Sequence, residues 1–247
     1  MAQRPAMLTP PAARLLSLPD GYQALVLGAS GGIGAAFVRA LAADPRCAGV
    51  TGLHRRSQPP LDIADEASIA AAAAALAGVG RAPFHLVINA TGLLHGARWM
   101  PEKKLADLTA DQLLTTLRIN TVGPALLLRH FSPLLARPRA LMVMLSAKVG
   151  SIGDNRLGGW YSYRASKAAL NMLVKTAAIE LARQQPHTVL VALHPGTVDT
   201  ALSRPFKGAQ IGRPADTAAA EMLAVIDRLT PADSGQFVAW DGQRLPW

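Results

Sequence analysis

The chain has 247 residues, 50% of them hydrophobic and 17% charged, with 25 Lys and Arg against 16 Asp and Glu. That apolar share excludes a disordered chain, which buries too little surface to offset the entropy of ordering. The single cysteine, Cys47, excludes an intrachain disulfide framework and a cysteine-rich metal site.

The net charge of +9 comes from scattered Lys and Arg, so it describes a solvated basic surface first and a phosphate-bearing ligand second. Aromatics make up only 5%, which argues against base stacking and a nucleic-acid partner. The longest apolar run, residues 69–79, is mostly alanine and falls short of the ~20 residues a membrane helix needs. No membrane partner is expected. Residues 1–20 carry Arg4, Arg14 and four prolines and lack the apolar core of a secretory signal. They read as an N-terminal extension ahead of one domain at 21–247, although an acid-poor start with arginines also fits an organelle transit peptide. The lone cysteine suits a reducing compartment, and a cytoplasmic location is expected.

Residues 23–28 are a short apolar run ending in glycine, which predicts a buried strand. Helical spacing follows over 33–42, up to Asp44-Pro45. A second strand is expected at 49–54, and a helix at 67–77 with Asp65 and Glu66 suited to its first turn. Residues 84–89 predict a strand, 111–135 a long leucine-rich helix, and 140–145 another strand. A long amphipathic helix is expected at 160–183, a strand at 188–193, a helix at 216–229 and a short last strand at 236–239. Strands alternating with helices of this length mean an α/β fold: one doubly wound parallel sheet in three layers. The near-continuous apolar strands agree, because such strands are buried on both faces.

The first strand runs into Gly28-Ala29-Ser30-Gly31-Gly32-Ile33-Gly34, which opens a helix. A glycine run in that position is a dinucleotide fingerprint. Gly28 permits a tight turn, Gly32 permits close approach of a pyrophosphate, and Gly34 permits close helix–strand packing. The helix N-terminus adds free amides and partial positive charge. In such folds an acidic residue about 20 positions on marks NAD. Here that region reads Leu53-His54-Arg55-Arg56-Ser57, with no carboxylate. A guanidinium fork matches a phosphate, so NADP(H) is the expected cofactor. Arg55 is the expected first contact, assisted by Arg56 or Ser57.

Tyr163 and Lys167 sit four apart on a predicted helix and so share a face. A neighbouring ammonium favours the phenolate and lowers the tyrosine pKa. That pairing suits proton transfer during hydride transfer to a carbonyl.

The spacing Gly-x-x-x-Gly-x-Gly over 28–34, followed by Tyr-x-x-x-Lys, resembles the short-chain dehydrogenase/reductase family, and the likeness covers about residues 22–242. It implies a Rossmann-type fold. It also implies cofactor contacts from Gly28, Ser30, Gly32, Ile33, Gly34 and Lys167, with Asp62-Ile63 as the adenine-side pair. Asn89, Ala90 and Gly92 resemble the element that stabilises the central sheet against the cofactor. Pro195, Gly196, Val198 and Thr200 resemble the loop that holds the nicotinamide carboxamide. By the same resemblance Asn120 holds a relay water. The link from Arg56 to Asp62 is too short for the family's usual crossover helix and extra strand, so a reduced sheet edge is expected.

The sequence departs from the family at one point. The family's Ser-Ser-x-x-Gly reads Ser146-Ala147-Lys148-Val149-Gly150 here, so Ala147 stands where the substrate-orienting serine is expected. Ser146 is kept as the catalytic candidate beside Tyr163, Lys167 and Asn120, with Ser151 as a substitute. Trp99, Met100, Trp160, Leu202 and Phe206 are candidates for an apolar substrate pocket, with residues 202–211 as its cover. Residues 158–163 and the ending Asp241-Gly242…Pro246-Trp247 look closest to the C-factor/sniffer-like carbonyl reductases. The resemblance implies a small carbonyl or alcohol substrate, no metal, and a homo-oligomer formed through helices 111–135 and 160–183. Ala147 also keeps open a second reading, a non-catalytic NADP(H)-binding regulatory protein on the same fold.

Overall fold

The computed structural model describes residues 14–78, 80 and 82–247. The strands are β1 (Tyr22–Leu27), β2 (Cys47–Leu53), β3 (Leu86–Asn89), β4 (Leu141–Leu145), β5 (Val189–His194) and β6 (Phe237–Ala239). They pair in parallel as one sheet in the order β2-β1-β3-β4-β5-β6. The helices are α1 (Gly32–Ala42), α2 (Glu66–Gly78), α3 (Ala110–Leu117), α4 (Gly123–Phe131), α5 (Tyr161–Gln184), α6 (Gly208–Ile211) and α7 (Ala215–Arg228).

The strands are apolar throughout because both faces are covered. Along β5, Val189, Val191 and Leu193 belong to one core layer with Phe37 and Leu41 of α1 and Met222 and Ile226 of α7. Their neighbours Leu190 and Ala192 belong to the core layer on the opposite face, with Ile69 of α2, Phe131 of α4 and Val174 of α5. This is the period-two alternation of a strand filled on both sides. After β2 the chain crosses to β3 on the other side of β1. Strand order reverses there, and in open parallel sheets the crevice beyond the strand ends at such a point binds ligands. As the short link predicts, β2 is the edge strand and no strand lies outside it among the described residues.

One expected element divides. The helix predicted over 111–135 is α3, a π-helical turn at Arg118–Val122, α4, and a 3-10 turn at Ser132–Leu134. Pro124 has no N–H to donate to the carbonyl four residues back, so the α-helical ladder cannot run through it. The Gly123 amide bonds instead to the Arg118 carbonyl, five residues back. Single π turns inside helices mark functional sites, and this one carries Asn120. No described helix is long and apolar enough to cross a membrane.

Residues 1–13 of the N-terminal extension lie outside the described residues. Leu15 and Leu18 are buried in the layer of α1 and α7. Asp44, 2% exposed, accepts from the Leu15 amide, the Tyr22 hydroxyl and the Arg46 amide, each at 3.0 Å. Asp44→Ala would strand the Tyr22 hydroxyl and the Leu15 amide. We expect a loss of about 2–4 kcal/mol, because each orphaned buried group costs roughly 1–3 kcal/mol. Urea unfolding monitored by circular dichroism tests this, and an unchanged midpoint would refute it.

Candidate active site

Three contiguous hollows run along the C-terminal ends of the strands. The first, about 460 Å³, is lined by Gly28, Ser30, Gly31, Arg55, Asp62, Ile63, Ala90 and Gly92. The second, about 200 Å³, is lined by Gly32, Ile33, Gly92, Tyr163, Lys167, Pro195 and Thr200. The third, about 460 Å³, shares Ile33, Ser146, Tyr163, Pro195, Thr200 and Leu202 with the second and continues to Ala147, Trp160, His194 and Phe206.

The glycine loop shapes the first hollow. Gly28 has φ +84°, in the left-handed region. A Cβ on Gly34 would run into the Gly28 carbonyl oxygen, so α1 sits against the turn only because position 34 is glycine. The N-cap of α1 is Gly31, with no side-chain cap and no acidic residue in the first turn. The helix therefore presents its amide end uncapped by protein.

At the far end of this hollow Arg55 lines the wall and Arg56 does not. Neither has an ion-pair partner among the described residues. Ser57 is unavailable as an assistant, because its single hydroxyl proton is shared between the His54 and Pro59 carbonyls and its oxygen accepts from the His54 amide. Asp62 faces the cleft and closes a turn by accepting from the Ala64 amide at 2.9 Å. The glycine-lined cradle, the uncapped helix end and the unpaired cation together fit a phosphorylated dinucleotide.

Tyr163 and Lys167 lie one turn apart on α5 and are buried, at 9% and 3% exposure. Lys167 Nζ is 5.9 Å from the Tyr163 ring centroid and donates to the Leu145 carbonyl at 3.0 Å. Burial lowers the Lys167 ammonium to about 8. Burial also pushes the Tyr163 hydroxyl above its usual range. The lowered tyrosine expected from the pairing is thus not what the geometry produces. Desolvation disfavours the charged form of each group, and Tyr163 stays protonated at neutral pH.

Asn120 lines none of the three hollows. Its Nδ2 donates to the Leu93 carbonyl at 2.7 Å and its Oδ1 accepts from the Leu93 amide at 2.8 Å, which ties the π turn to the loop after β3. Asn89 is likewise buried behind the site, and its Oδ1 accepts from the Thr91 amide and hydroxyl. Ser146 lines the cavity, but its hydroxyl donates to Asn171 Oδ1 at 2.7 Å. Ser151 donates to the Trp247 carbonyl and accepts from the Asp154 amide. It does not line the third hollow.

The loop after β5 is held from outside. Gly196, at φ +69°, leaves space that a Cβ would contest with Arg213 Nη2 and the Trp240 ring, each 2.8 Å away. Arg213 stacks on Trp240 with 3.5 Å to the ring centroid and donates to the Pro195 carbonyl at 2.5 Å. Val198 bridges to Arg213 in the backbone.

Of the expected apolar wall, Trp160, Leu202 and Phe206 line the third hollow, with Ile211 from the covering segment. Trp99 and Met100 do not, and Met100 is 49% exposed. Trp160 adopts a left-handed φ of 54°, and its ring meets Tyr163 at 6.2 Å and Phe206 at 5.0 Å, both edge-on. A non-glycine residue in that region carries strain, which structures tolerate mainly at functional sites.

Sequence reasoning missed Glu102. This carboxylate, 2% exposed, accepts from the Ser162 hydroxyl and from the Ser162 amide at 3.2 Å, and so caps the start of α5. Its distance of 60 positions from Ser162 left no local signal.

A family model described as enoyl-(acyl carrier protein) reductase matches residues 33–240. The chain belongs to the short-chain dehydrogenase/reductase family. A family member from Rhodococcus sp. (strain AD45), 1-hydroxy-2-glutathionyl-2-methyl-3-butene dehydrogenase, is 35% identical over 83% of this chain and 84% of that relative. Two solved members share the fold. An NADPH-bound carbonyl reductase from chicken fatty liver superposes with a TM-score of 0.81 at 28% identity, covering 93% of this chain and 96% of that one. The carbonyl reductase Sniffer of D. melanogaster gives 0.79 at 25% identity, covering 92% and 99%.

Proposed function

We propose that the protein is an NADP(H)-dependent oxidoreductase acting on a carbonyl or alcohol, working as a carbonyl reductase. The observation that carries the reading is Tyr163: a desolvated, protonated hydroxyl where the dinucleotide cleft meets an apolar cavity. A bound reduced nicotinamide would supply the hydride. Tyr163 donates its proton to the substrate oxygen, as a general acid must. Lys167 holds a positive charge beside it, and Asn120 keeps the Leu93 loop in place. Arg55 would meet the 2′-phosphate of a bound NADP(H). Gly28, Ser30, Gly32, Ile33 and Gly34 would hold its diphosphate, with Asp62 and Ile63 toward the adenine. Ala90, Gly92, Pro195, Gly196, Val198 and Thr200 would bound the nicotinamide, backed by Asn89. Trp160, Leu202 and Phe206 exclude water from the reacting carbon.

Exposed Leu114, Val122, Met172 and Ile179 on the helices expected to associate support a homo-oligomer. The free Cys47 supports a reducing, cytoplasmic compartment. A non-catalytic NADP(H) sensor is the second reading, favoured by Ala147, which puts an apolar side chain in the cavity wall. Loss of NADPH absorbance with a panel of aldehydes, ketones and quinones separates the two. Turnover sustains the reductase, whereas NADPH binding with no turnover across the panel moves the assignment to the sensor.

The lowered Lys167 pKa has a consequence for binding. With a value of about 8, the amine is mostly neutral near pH 9. The anionic cofactor favours the ammonium, so NADPH binding there takes up a proton, and affinity falls as pH rises through 8. Isothermal titration near pH 9 in two buffers of different ionisation enthalpy measures this. A heat independent of buffer contradicts it.

A further inference from the structure

The third hollow holds Tyr163 as one donor for a substrate oxygen, and Ser146, Ser203 and Lys148 in its wall are already engaged. Ser146 Oγ donates to Asn171, and Ser203 Oγ donates to the Val198 carbonyl. Lys148 Nζ lies 3.4 Å from Asp154, and Ala147 carries no polar atom.

His194 differs. It ends β5, one step past Leu193, which pairs with Leu145. The Ser146 amide donates to the Leu193 carbonyl at 2.8 Å, so the two strand ends lie side by side. Leu193 packs toward α1 and α7. By alternation His194 therefore points to the other face, where α5 carries Tyr163. His194 and Tyr163 line the same cavity.

The imidazole Nδ1 is sealed from solvent and has no hydrogen-bond partner among the described residues. Nε2 is not among the sealed atoms. Burial first, then the charges of Lys148 and Arg213, pull the group down to about 4, so the ring is neutral. A neutral ring has one N–H and one bare nitrogen. Sealed orphan N–H groups are rarer than under-used acceptors. That assigns the proton to Nε2, the ring nitrogen that is not sealed without a partner.

We propose that His194 is a second catalytic hydrogen-bond donor, its Nε2–H sharing with the Tyr163 hydroxyl the substrate oxygen being reduced. This rests on the reductase reading above. The balance is simple: the carbonyl carbon gains a hydride from the reduced nicotinamide, and its oxygen gains the Tyr163 proton. The Nε2 hydrogen stays on His194 throughout and stabilises charge developing on the oxygen.

The test compares wild type, His194→Ala, His194→Gln, Ala147→Ser and the double variant His194→Ala with Ala147→Ser. The substrate is benzaldehyde with NADPH, and NADPH affinity is measured separately by fluorescence. His194→Ala is expected to lower kcat/KM by about ten- to a hundredfold with NADPH affinity within about twofold. His194→Gln, which keeps an N–H, retains more activity than His194→Ala. Ala147→Ser restores activity in the His194→Ala background far more than it adds to wild type. A His194→Ala enzyme within about twofold of wild type overturns the inference. So does a loss matched by loss of NADPH affinity and relieved by neither other change, which marks a structural role.

If wild type binds NADPH but turns over nothing, the reductase reading falls, and His194 is judged apart from it by imidazole 15N shifts in the NADP+ complex. A proton on Nε2 that responds to added benzaldehyde sustains the donor. A proton on Nδ1, or no response, overturns it.

Discussion

Replacing Tyr163 by phenylalanine is expected to lower NADPH-dependent carbonyl reduction by about 10³-fold while NADPH affinity changes by less than about twofold. The substitution removes one oxygen and little else. The ring keeps its edge-on packing against Trp160, and α5 keeps its Glu102 cap. Burial already holds the Tyr163 hydroxyl in its protonated form, which is the form that carbonyl reduction needs. The variant therefore loses the acid and retains the cavity. Steady-state rates beside a fluorescence titration of NADPH give both quantities. A variant as active as wild type would remove Tyr163 from the chemistry. A variant that no longer binds NADPH would show that the hydroxyl serves the cofactor cleft instead.

Arg55→Asp is expected to weaken NADPH binding by about 10²–10³-fold and to leave NADH binding unchanged or improved. Arg55 lines the end of the cleft beside Asp62 and Ile63 and has no ion-pair partner among the described residues. Losing a charge-assisted bond to a phosphate costs about 1.5–3 kcal/mol, and the new carboxylate adds repulsion. NADH has no 2′-phosphate to repel, and a carboxylate there can accept from its ribose hydroxyl. Paired titrations with the two cofactors decide the matter. Equal loss for both would mean that the substitution disturbs the Leu53–Leu61 turn rather than a phosphate contact. Arg56→Asp is the internal control, because Arg56 does not line the cleft and should shift NADPH binding far less.

Some of this site was legible because its signals are local. The glycine loop, the Tyr163–Lys167 turn and the Arg55-Arg56 pair each sit within a few residues of one another. One helical turn or one strand-to-helix junction turns that spacing into geometry. The doubly wound parallel sheet was legible for a similar reason: an apolar strand buried on both faces and a following helix leave a periodic record in the chain. The break at Arg118–Val122 was written in Pro124, although reading 111–135 as one helix passed over it.

What only the tertiary structure decided is who faces whom. Ser146 and His194 are 48 positions apart, yet adjacent strand ends place both on the cavity wall. The Asn171 amide then takes up one of them and leaves the other unpaired. Glu102 reaches Ser162 across 60 positions to start α5. The direction of the Tyr163 pKa also reversed, because a neighbouring ammonium is visible in the sequence and desolvation is not. Burial depends on every element that closes over a side chain. The sequence by itself therefore determined the fold class and the local chemical motifs, while the packing of distant elements decided which polar groups remain free to act.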